Sequence, residues 1–250
     1  MKVTFLYHSS FLVELSQCTL LFDWYGGAVP AYDKSKPLYV FASHHHGDHY
    51  SPEIFSAFGM ENVWYVLGNC IRLSAKRKEA LSIDDSHVFR LAAGRSLTLG
   101  GLAIETLRST DAGVAFWITA EGKTFFHAGD LQWWHWEEEP KTWNEEMERD
   151  FKKECAKVAG RRADVAFLVL DPRQEDSYWW GFDWWMRTLE VGWAFPMHSW
   201  EAYWIIKKFK KHPCSRPYRD RVMEIFYNGQ SFQLEEEERH PAPTKTILRK

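Results

Sequence analysis

The sequence predicts a single α/β domain, and three features of its 250 residues support that prediction. Short runs rich in β-branched and aromatic residues recur in both halves of the chain, as is typical of strands. Stretches with helical periodicity separate several of these runs. No linker rich in glycine, serine or proline interrupts residues 1–230. We therefore expect one domain over residues 1–234, followed by a charged tail over residues 235–250.

The first half of the chain is dominated by strands, and its opening third is expected to be a hairpin meander. The run at 37–43 is almost unbroken apolar sequence, which is typical of a strand buried on both faces. Ser51 and Pro52 suit the N-cap and the first position of a following helix. A charged helical stretch separates the last two strands. The predicted strands are, in chain order, 2–8, 11–16, 18–24, 37–43, 63–68 and 87–91.

The second half contains more strands and the two clearest helices. Thr142 and Glu145 form a capping-box pattern at the start of a helix predicted over 142–159. An amphipathic helix is predicted over 199–211, with Ser199 as its cap. The remaining strand segments are 96–108, 113–130, 163–172, 192–198 and 221–234, of which the last reads as a hairpin.

Composition and charge exclude several functional classes. With 31 Lys and Arg against 34 Asp and Glu, the net charge is −3, which does not indicate electrostatic binding of nucleic acid. No apolar run approaches the roughly 18 residues of a membrane span, and the N-terminus lacks a signal-peptide pattern. The four cysteines are scattered, which fits reduced thiols. We expect a cytoplasmic protein with a small-molecule substrate and no nucleic-acid or integral-membrane partner; no oligomeric state follows.

Residues 42–55, ASHHHGDHYSPEIF, hold four histidines and one aspartate within six positions. A solvated loop, a proton-transfer site and a metal-binding loop are the alternatives. Imidazole nitrogen and carboxylate oxygen are suitable ligands for zinc and similar divalent ions. His44 and His46 share one side of an extended chain, so both can reach one ion. Asp48 and His49 follow a glycine, where the chain can turn toward a second ion.

One loop rarely closes a metal site, so ligands from distant positions are required. Asp130 and His198 each follow a predicted strand and can supply them. A carboxylate shared between two ions, together with a histidine that closes the second site, would complete a two-metal centre.

These motifs resemble those of the metallo-β-lactamase-fold hydrolases. His44, His46, Asp48 and His49 match the H-x-H-x-D-H signature. YHSSFLVELSQCTLLFDW, FFHAGD and FPMHSW are similar to motifs of the branch with ascorbate-phosphate lactonase-like proteins and relatives of N-acylphosphatidylethanolamine phospholipase D. The matches follow the family order over residues 5–200. The resemblance implies a four-layer αββα sandwich of two facing mixed β-sheets, with helices outside and the metal site at one edge.

The resemblance also implies a ligand set: His44 and His46 for one ion, Asp48, His49 and His198 for the other, and Asp130 as a bridge. The family usually adds a third histidine to the first ion, and this chain has none at that place. Asp111 is the nearest residue able to replace it. Either Asp111 is that ligand, or it is a turn residue and the first ion binds weakly or not at all. Zinc is the expected metal, with manganese also suitable.

Structural or surface roles are expected for the remaining polar residues near these motifs: His8, His45, His127, Asp23, Asp171 and Arg173. Two of them have an alternative. His8 could assist the chemistry, and Arg173 could meet an anionic substrate. Among the 14 tryptophans, Trp133, Trp134 and Trp200 lie near the proposed ligands in sequence. They could wall a substrate pocket, although core packing explains such residues equally well.

The sequence therefore predicts a metal-dependent hydrolase. Metal ions would activate a water for attack on carbonyl carbon or phosphorus and stabilise the developing charge. Asp48 is the expected catalytic residue, because it could orient that water and accept its proton. Two substrate classes fit: a phosphodiester or phosphorylated metabolite, and a lactone or other cyclic ester. The alternative from another class is a non-catalytic metal-binding or scaffold protein that retains the fold.

Overall fold

The computed structural model describes residues 1–235, which form thirteen strands and five α-helices. Most of the predicted tail, residues 236–250, lies outside the described residues. The helices are α1 (Ile54–Phe58), α2 (Ala75–Ala80), α3 (Lys141–Ala156), α4 (Trp180–Thr188) and α5 (Trp204–Lys211). The strands are β1 (Lys2–Tyr7), β2 (Ser10–Glu14), β3 (Thr19–Phe22), β4 (Leu38–Ala42), β5 (Val63–Gly68), β6 (Val88–Leu91), β7 (Ser96–Leu99), β8 (Leu102–Arg108), β9 (Val114–Ala120), β10 (Lys123–His127), β11 (Arg162–Val169), β12 (Glu190–Met197) and β13 (Ser231–Gln233).

The strands form two mixed sheets. The first sheet has the order β13-β1-β2-β3-β4-β5-β6, and the second has the order β12-β11-β10-β9-β8-β7. In the first sheet β3, β4, β5 and β6 run parallel, and β1 to β3 form the predicted meander. In the second sheet β10, β11 and β12 run parallel, and the other pairings are antiparallel.

The two sheets pack face to face through aromatic side chains. The Phe11 ring lies 4.3 Å from that of Phe167, and the Phe41 ring lies 5.3 Å from that of Phe116. The neighbour of Phe41, Val40, faces away and joins a second apolar cluster that includes residues of α1. All five residues of β4 are therefore buried, as the apolar run predicts.

Helices cover the outer faces of the sandwich. Helix α1 buries Ile54 and Phe55 against the first sheet, and α4 packs against β11 and β12 of the second. Helix α3 contacts α4. The layers agree with the predicted αββα sandwich. Because the carboxyl ends of parallel strands meet at one edge, the loops after β3, β4, β10, β11 and β12 share that edge.

Three predicted helix starts are wrong. Helix α1 begins at Ile54 with Glu53 at its N-cap, so Ser51 and Pro52 precede the helix, although the hydroxyl of Ser51 accepts a hydrogen bond of 3.2 Å from the backbone N–H of Glu53. Helix α3 begins at Lys141 after Pro140, and its N-terminus has no side-chain cap, so the capping box of Thr142 and Glu145 does not form. Helix α5 begins at Trp204 and not at Ser199. The backbone just before it takes positive φ angles at His198, Trp200 and Glu201, which a helix does not permit.

The predicted hairpin over 221–234 is also wrong. Only its second arm is a strand, β13, and it pairs with β1. In the first arm Val222 makes a single bridge to Ala194 of β12. The two segments that flank the turn at Asn228 and Gly229 therefore do not pair with each other. The first contacts the second sheet, and the second joins the first sheet.

Two expectations about the chain's environment can be compared with the structure. Across residues 1–235 no helix is both long enough and apolar enough to cross a membrane. All four cysteines are free thiols. The cytoplasmic location stays a prediction from composition.

Candidate metal centre

Loops at one edge of the sandwich bring all the predicted ligands together. Two groups form, and within each group one ligand atom from every residue lies within 4.8 Å of the others. The first group is His44, His46, Asp111 and Asp130; the second group is His8, Asp48, His49 and His198. The structure therefore joins the histidine loop to turns more than sixty residues away in sequence.

The first group contains the aspartate that the sequence offers in place of a third histidine. Asp111 lies in the turn between β8 and β9, and its Oδ2 is 3.3 Å from Nδ1 of His46. On the buried side, His44 Nε2 is 3.4 Å from Oδ2 of Asp130. The position of Asp111 is thus compatible with a ligand role.

Asp130 lies between the two groups, in the loop after β10. One of its oxygens, Oδ2, faces His44. The other, Oδ1, is 3.1 Å from His49 Nε2 and 3.6 Å from His198 Nε2. A carboxylate that presents one oxygen to each group has the arrangement of a bridging ligand.

The second group includes His8, for which a structural role was the expectation. Its Nε2 lies 3.4 Å from Oδ2 of Asp48, and His198 Nε2 lies 3.9 Å from the same oxygen. His8 occupies the turn between β1 and β2, which the first sheet places beside the histidine loop. In the sequence, the only indication that His8 lies at the site is its position directly after a strand, in the family-like segment YHSSFLVE.

Two buried aspartates orient the histidine rings. Asp23 accepts hydrogen bonds from the backbone and hydroxyl of Ser43, each at 2.7 Å, and contacts Nδ1 of His49 at 2.7 Å. Asp171 contacts Nδ1 of His198 at 2.9 Å. A structural or surface role is the expectation for both aspartates, and each in fact holds a histidine ring so that its Nε2 faces the site. Such supporting carboxylates fix the tautomer of metal-binding histidines.

The remaining two histidines near the motifs lie outside both groups. His45 is exposed, in agreement with its expected role. His127 is buried, its Nε2 contacts the carbonyl oxygen of Ser9 at 2.9 Å, and its ring stacks on Phe22. His127 therefore belongs to the packed interior beneath the site.

The side chains fit divalent cations. Among the buried side-chain atoms of the described residues that have no hydrogen-bond partner, five belong to these two groups, namely Nε2 of His8, His44, His49 and His198 and Oδ1 of Asp130. Buried polar atoms without partners are costly and rare. The 3.3–3.4 Å separations of three histidine–carboxylate pairs exceed the roughly 2.7–2.9 Å of a charge-assisted hydrogen bond. They match the separation of about 3.4 Å between two ligands of a tetrahedral zinc ion.

The protonation states of most of these groups also suit metal binding. His49 is the exception, because the charge of Asp130 raises its pKa against the effect of burial, so an ion would have to displace a proton from that ring. Burial lowers the pKa of His8 and of His44 to about 4, so both rings are neutral and carry a free lone pair at pH 7. Burial alone would raise the pKa of Asp48, but the nearby rings of His8 and His49 hold that pKa below its usual value. Burial alone would likewise raise the pKa of Asp130, but the charges of His49 and His198 hold it well below its usual value, so this carboxylate is ionised.

An open cleft of about 330 Å³ leads to both groups. It is lined by His46, Asp48, Thr110, Asp111, Asp130, Trp134, Trp136, Trp143, Met147, Arg173, His198 and Trp200. Trp134 and Trp200 thus lie where the sequence places a substrate pocket. Trp133 does not line the cleft: its ring packs against Trp180 and Trp184, 5.2 and 5.9 Å away. Trp143 and Met147 reach the cleft from α3, and no ligand motif close to them in sequence marks them as lining residues.

Comparison with known proteins identifies the class. The family model described as the β-lactamase superfamily domain matches residues 2–142, which is more than half of the chain. The chain belongs to this superfamily. A UPF0173 metal-dependent hydrolase of Opitutus terrae is 28% identical over 156 residues. That match covers 52% of this chain and 63% of the relative's length, which is less than two thirds.

Solved structures confirm the fold. Igni18, a metallo hydrolase from the archaeon Ignicoccus hospitalis, superposes with a TM-score of 0.54 at 16% identity, covering 94% of this chain and 99% of that one. The metallo-β-lactamase fold protein YhfI from Bacillus subtilis gives a TM-score of 0.58 at 16% identity, covering 92% and 98%. The resemblance to the metallo-β-lactamase fold is therefore confirmed, and the particular branch remains a prediction.

Proposed function

We propose that this protein is a metal-dependent hydrolase whose two groups of side chains hold two divalent ions, zinc or manganese. The convergence of buried, unpartnered histidine nitrogens on one carboxylate supports this proposal most strongly. When bound, the ions would lower the pKa of a water molecule and stabilise negative charge on the substrate. The ligands would be His44, His46 and Asp111 for the first ion, Asp48, His49 and His198 for the second, and Asp130 as the bridge.

Asp48 is the proposed catalytic residue. It lines the cleft, and its side chain is about three-tenths exposed, unlike the buried Asp130. An ionised carboxylate in this position can accept a hydrogen bond from the attacking water and so orient it. Its contact with His8 fixes the carboxylate relative to the second group.

The cleft favours an anionic substrate. The three carboxylates of the centre, with Asp23 and Asp171 behind the histidines, would balance the charge of two divalent ions and Arg173. The ions themselves, which would lie at the floor of the cleft, would therefore attract an anionic group, and not a net positive charge of the whole site. Arg173 adds a cation to the cleft wall, where its guanidinium lies 4.4 Å from the ring of Trp200. A phosphodiester or phosphorylated metabolite with a flat or apolar part therefore fits best. A lactone is the second candidate, since the tryptophan walls suit a neutral ester equally well.

Turnover measurements with defined metals test this proposal. We expect the zinc- or manganese-loaded protein to hydrolyse bis(p-nitrophenyl) phosphate faster than simple lactones. Asp130→Asn should abolish this activity, whereas Asp150→Asn, which changes a partly exposed carboxylate on α3 that does not line the cleft, should keep it. Tight binding of two ions without turnover of either substrate panel would refute the enzyme and support the scaffold alternative.

Asp111→Ala tests the third ligand of the first ion. The variant should bind one ion in place of two, and Asp111→His, which supplies another ligand type, should restore the second. Metal content after dialysis, measured by mass spectrometry, distinguishes the outcomes. An unchanged stoichiometry in Asp111→Ala would remove Asp111 from the ligand set.

A further inference from the structure

His8 has an unusual backbone conformation at the edge of the site. It lies in the short turn between β1 and β2, and its φ of +49° is in the left-handed region. Residues other than glycine adopt this region at an energetic cost, and such strain concentrates at functional sites. The conformation directs the ring toward the second group, since Nε2 comes within 3.4 Å of Asp48.

The turn is also tied to the far end of the chain. The backbone N–H of His198 donates a hydrogen bond of 3.0 Å to the carbonyl oxygen of His8. The two rings lie 4.1 Å apart, and the ring of Trp200 is 4.5 Å from that of His8. Both histidines therefore hold a fixed relation to each other, as two ligands of one ion require.

The ring of His8 lacks the partner that a structural histidine would have. Its Nε2 is buried and has no hydrogen-bond partner within the described part of the chain. For comparison, the buried His127 uses Nε2 to contact the carbonyl oxygen of Ser9 at 2.9 Å. The 3.4 Å separation from Asp48 is longer than a charge-assisted hydrogen bond and matches that of two ligands on one ion.

We infer that His8 is a protein ligand of the second ion, in addition to Asp48, His49 and His198. This assignment rests on the proposed metal centre. With the bridging Asp130 it gives the second ion five protein ligands, which fills its coordination sphere. Both groups reach the cleft in part, through His46 and Asp111 of the first and Asp48 and His198 of the second, whereas His8 and His49 do not line it. Because it has one more protein ligand than the first ion, the second ion is held more tightly.

His8→Asn tests this inference, because asparagine tolerates the left-handed backbone but lacks the imidazole. The apo-protein is titrated with Zn²⁺ by calorimetry. Wild type should show a tight and a weaker class of site, and His8→Asn should weaken the tight class about 100-fold, the upper range for loss of a supporting residue. His45→Asn, which changes the exposed neighbour in the histidine loop, is the matched control and should keep both classes.

A measurement on the unmodified protein covers the case in which His8→Asn fails to fold. In wild type loaded with ¹¹³Cd, NMR should show scalar coupling between one cadmium and the ring of His8. Two sites of unchanged affinity in a folded His8→Asn variant, or two bound cadmium ions without coupling to His8, would overturn the inference alone. Wild type that binds no ion would overturn the proposed function instead.

Discussion

Among single residues, Arg173 lies between the cleft and the proposed metal centre. Its guanidinium pairs with the carboxylate of Asp171, which in turn contacts His198. The same group lies over the ring of Trp200 and lines the cleft. The side chain is about half exposed, so an anionic group in the cleft can reach its remaining donors.

Arg173→Met should raise KM for a phosphodiester about tenfold and change KM for a neutral lactone much less. A hydrogen bond to a charged group contributes about 1.5–3 kcal/mol, and partial exposure reduces that value. Steady-state kinetics with both substrates measure the ratio of the two changes in KM. Arg187→Met is the control, because Arg187 also pairs with an aspartate and is similarly exposed but does not line the cleft. Equal changes for both substrates would exclude recognition of the anion by Arg173.

The residues that the structure brings together could be predicted where chemistry and spacing coincide in one segment. The H-x-H-x-D-H loop specifies four proposed ligands by itself, and Asp130 and His198 follow apolar runs that mark strand ends. His8 and the ring-orienting roles of Asp23 and Asp171 were missed. The residues that they contact are 26 or more positions away in sequence. Only the packing of the strands therefore shows that a turn histidine or a buried aspartate faces the site.

At the scale of elements, three glycines enclose the start of the histidine loop. A Cβ on Gly68 or Gly113 would come within 2.1 Å of the carbonyl oxygen of Ser43, and one on Gly129 within 2.8 Å of the Ser43 side chain. These glycines come from the end of β5, the β8–β9 turn and the loop after β10. Their close approach fixes the position of His44, which follows Ser43.

Gly113→Ala should destabilise the protein more than Gly122→Ala does. Both glycines have positive φ, at +67° and +72°, so both variants bear the same backbone strain of about 1–3 kcal/mol. Only at Gly113 does the new methyl group meet Ser43 and His44, and overpacking adds about 1–3 kcal/mol. Urea unfolding of the metal-free proteins measures the difference. Equal losses of stability in the two variants would show that the histidine loop moves to accommodate the methyl group at no cost in free energy of unfolding.

The sequence predicted elements best where burial alone determines them. The run at 37–43 became β4 because both of its faces are covered. Local capping signals predicted helix starts poorly. The start of α5 is delayed because the segment from His198 to Glu201 bends around the site, and tertiary contacts override the local preference of Ser199.

In the whole molecule, each group of ligands draws on both sheets. His44 and His46 follow β4 of the first sheet, whereas Asp111 and Asp130 belong to loops of the second. His8, Asp48 and His49 likewise come from the first sheet, and His198 follows β12 of the second. Bound ions would therefore connect the two sheets at this edge.

Removal of metal should lower the melting temperature. An ion at 100 times its dissociation constant stabilises the folded state by about 2.7 kcal/mol. For a chain of this size, each kcal/mol shifts the melting temperature by about 2–4 °C, so each ion contributes roughly 5–10 °C. Calorimetry with chelator, and again after zinc is restored, measures this change. Identical melting curves with and without metal would show that the ions do not join the sheets.

The hydrogen bond from His198 to the carbonyl oxygen of His8 also orders events during synthesis. The turn that carries His8 emerges from the ribosome early, but β12 and His198 emerge only after most of the described chain has been made. A nascent chain therefore cannot complete the second group until translation has passed β12. Acquisition of the proposed second ion would consequently be a late step of biogenesis, and fragments that end before β12 should leave the ribosome without it.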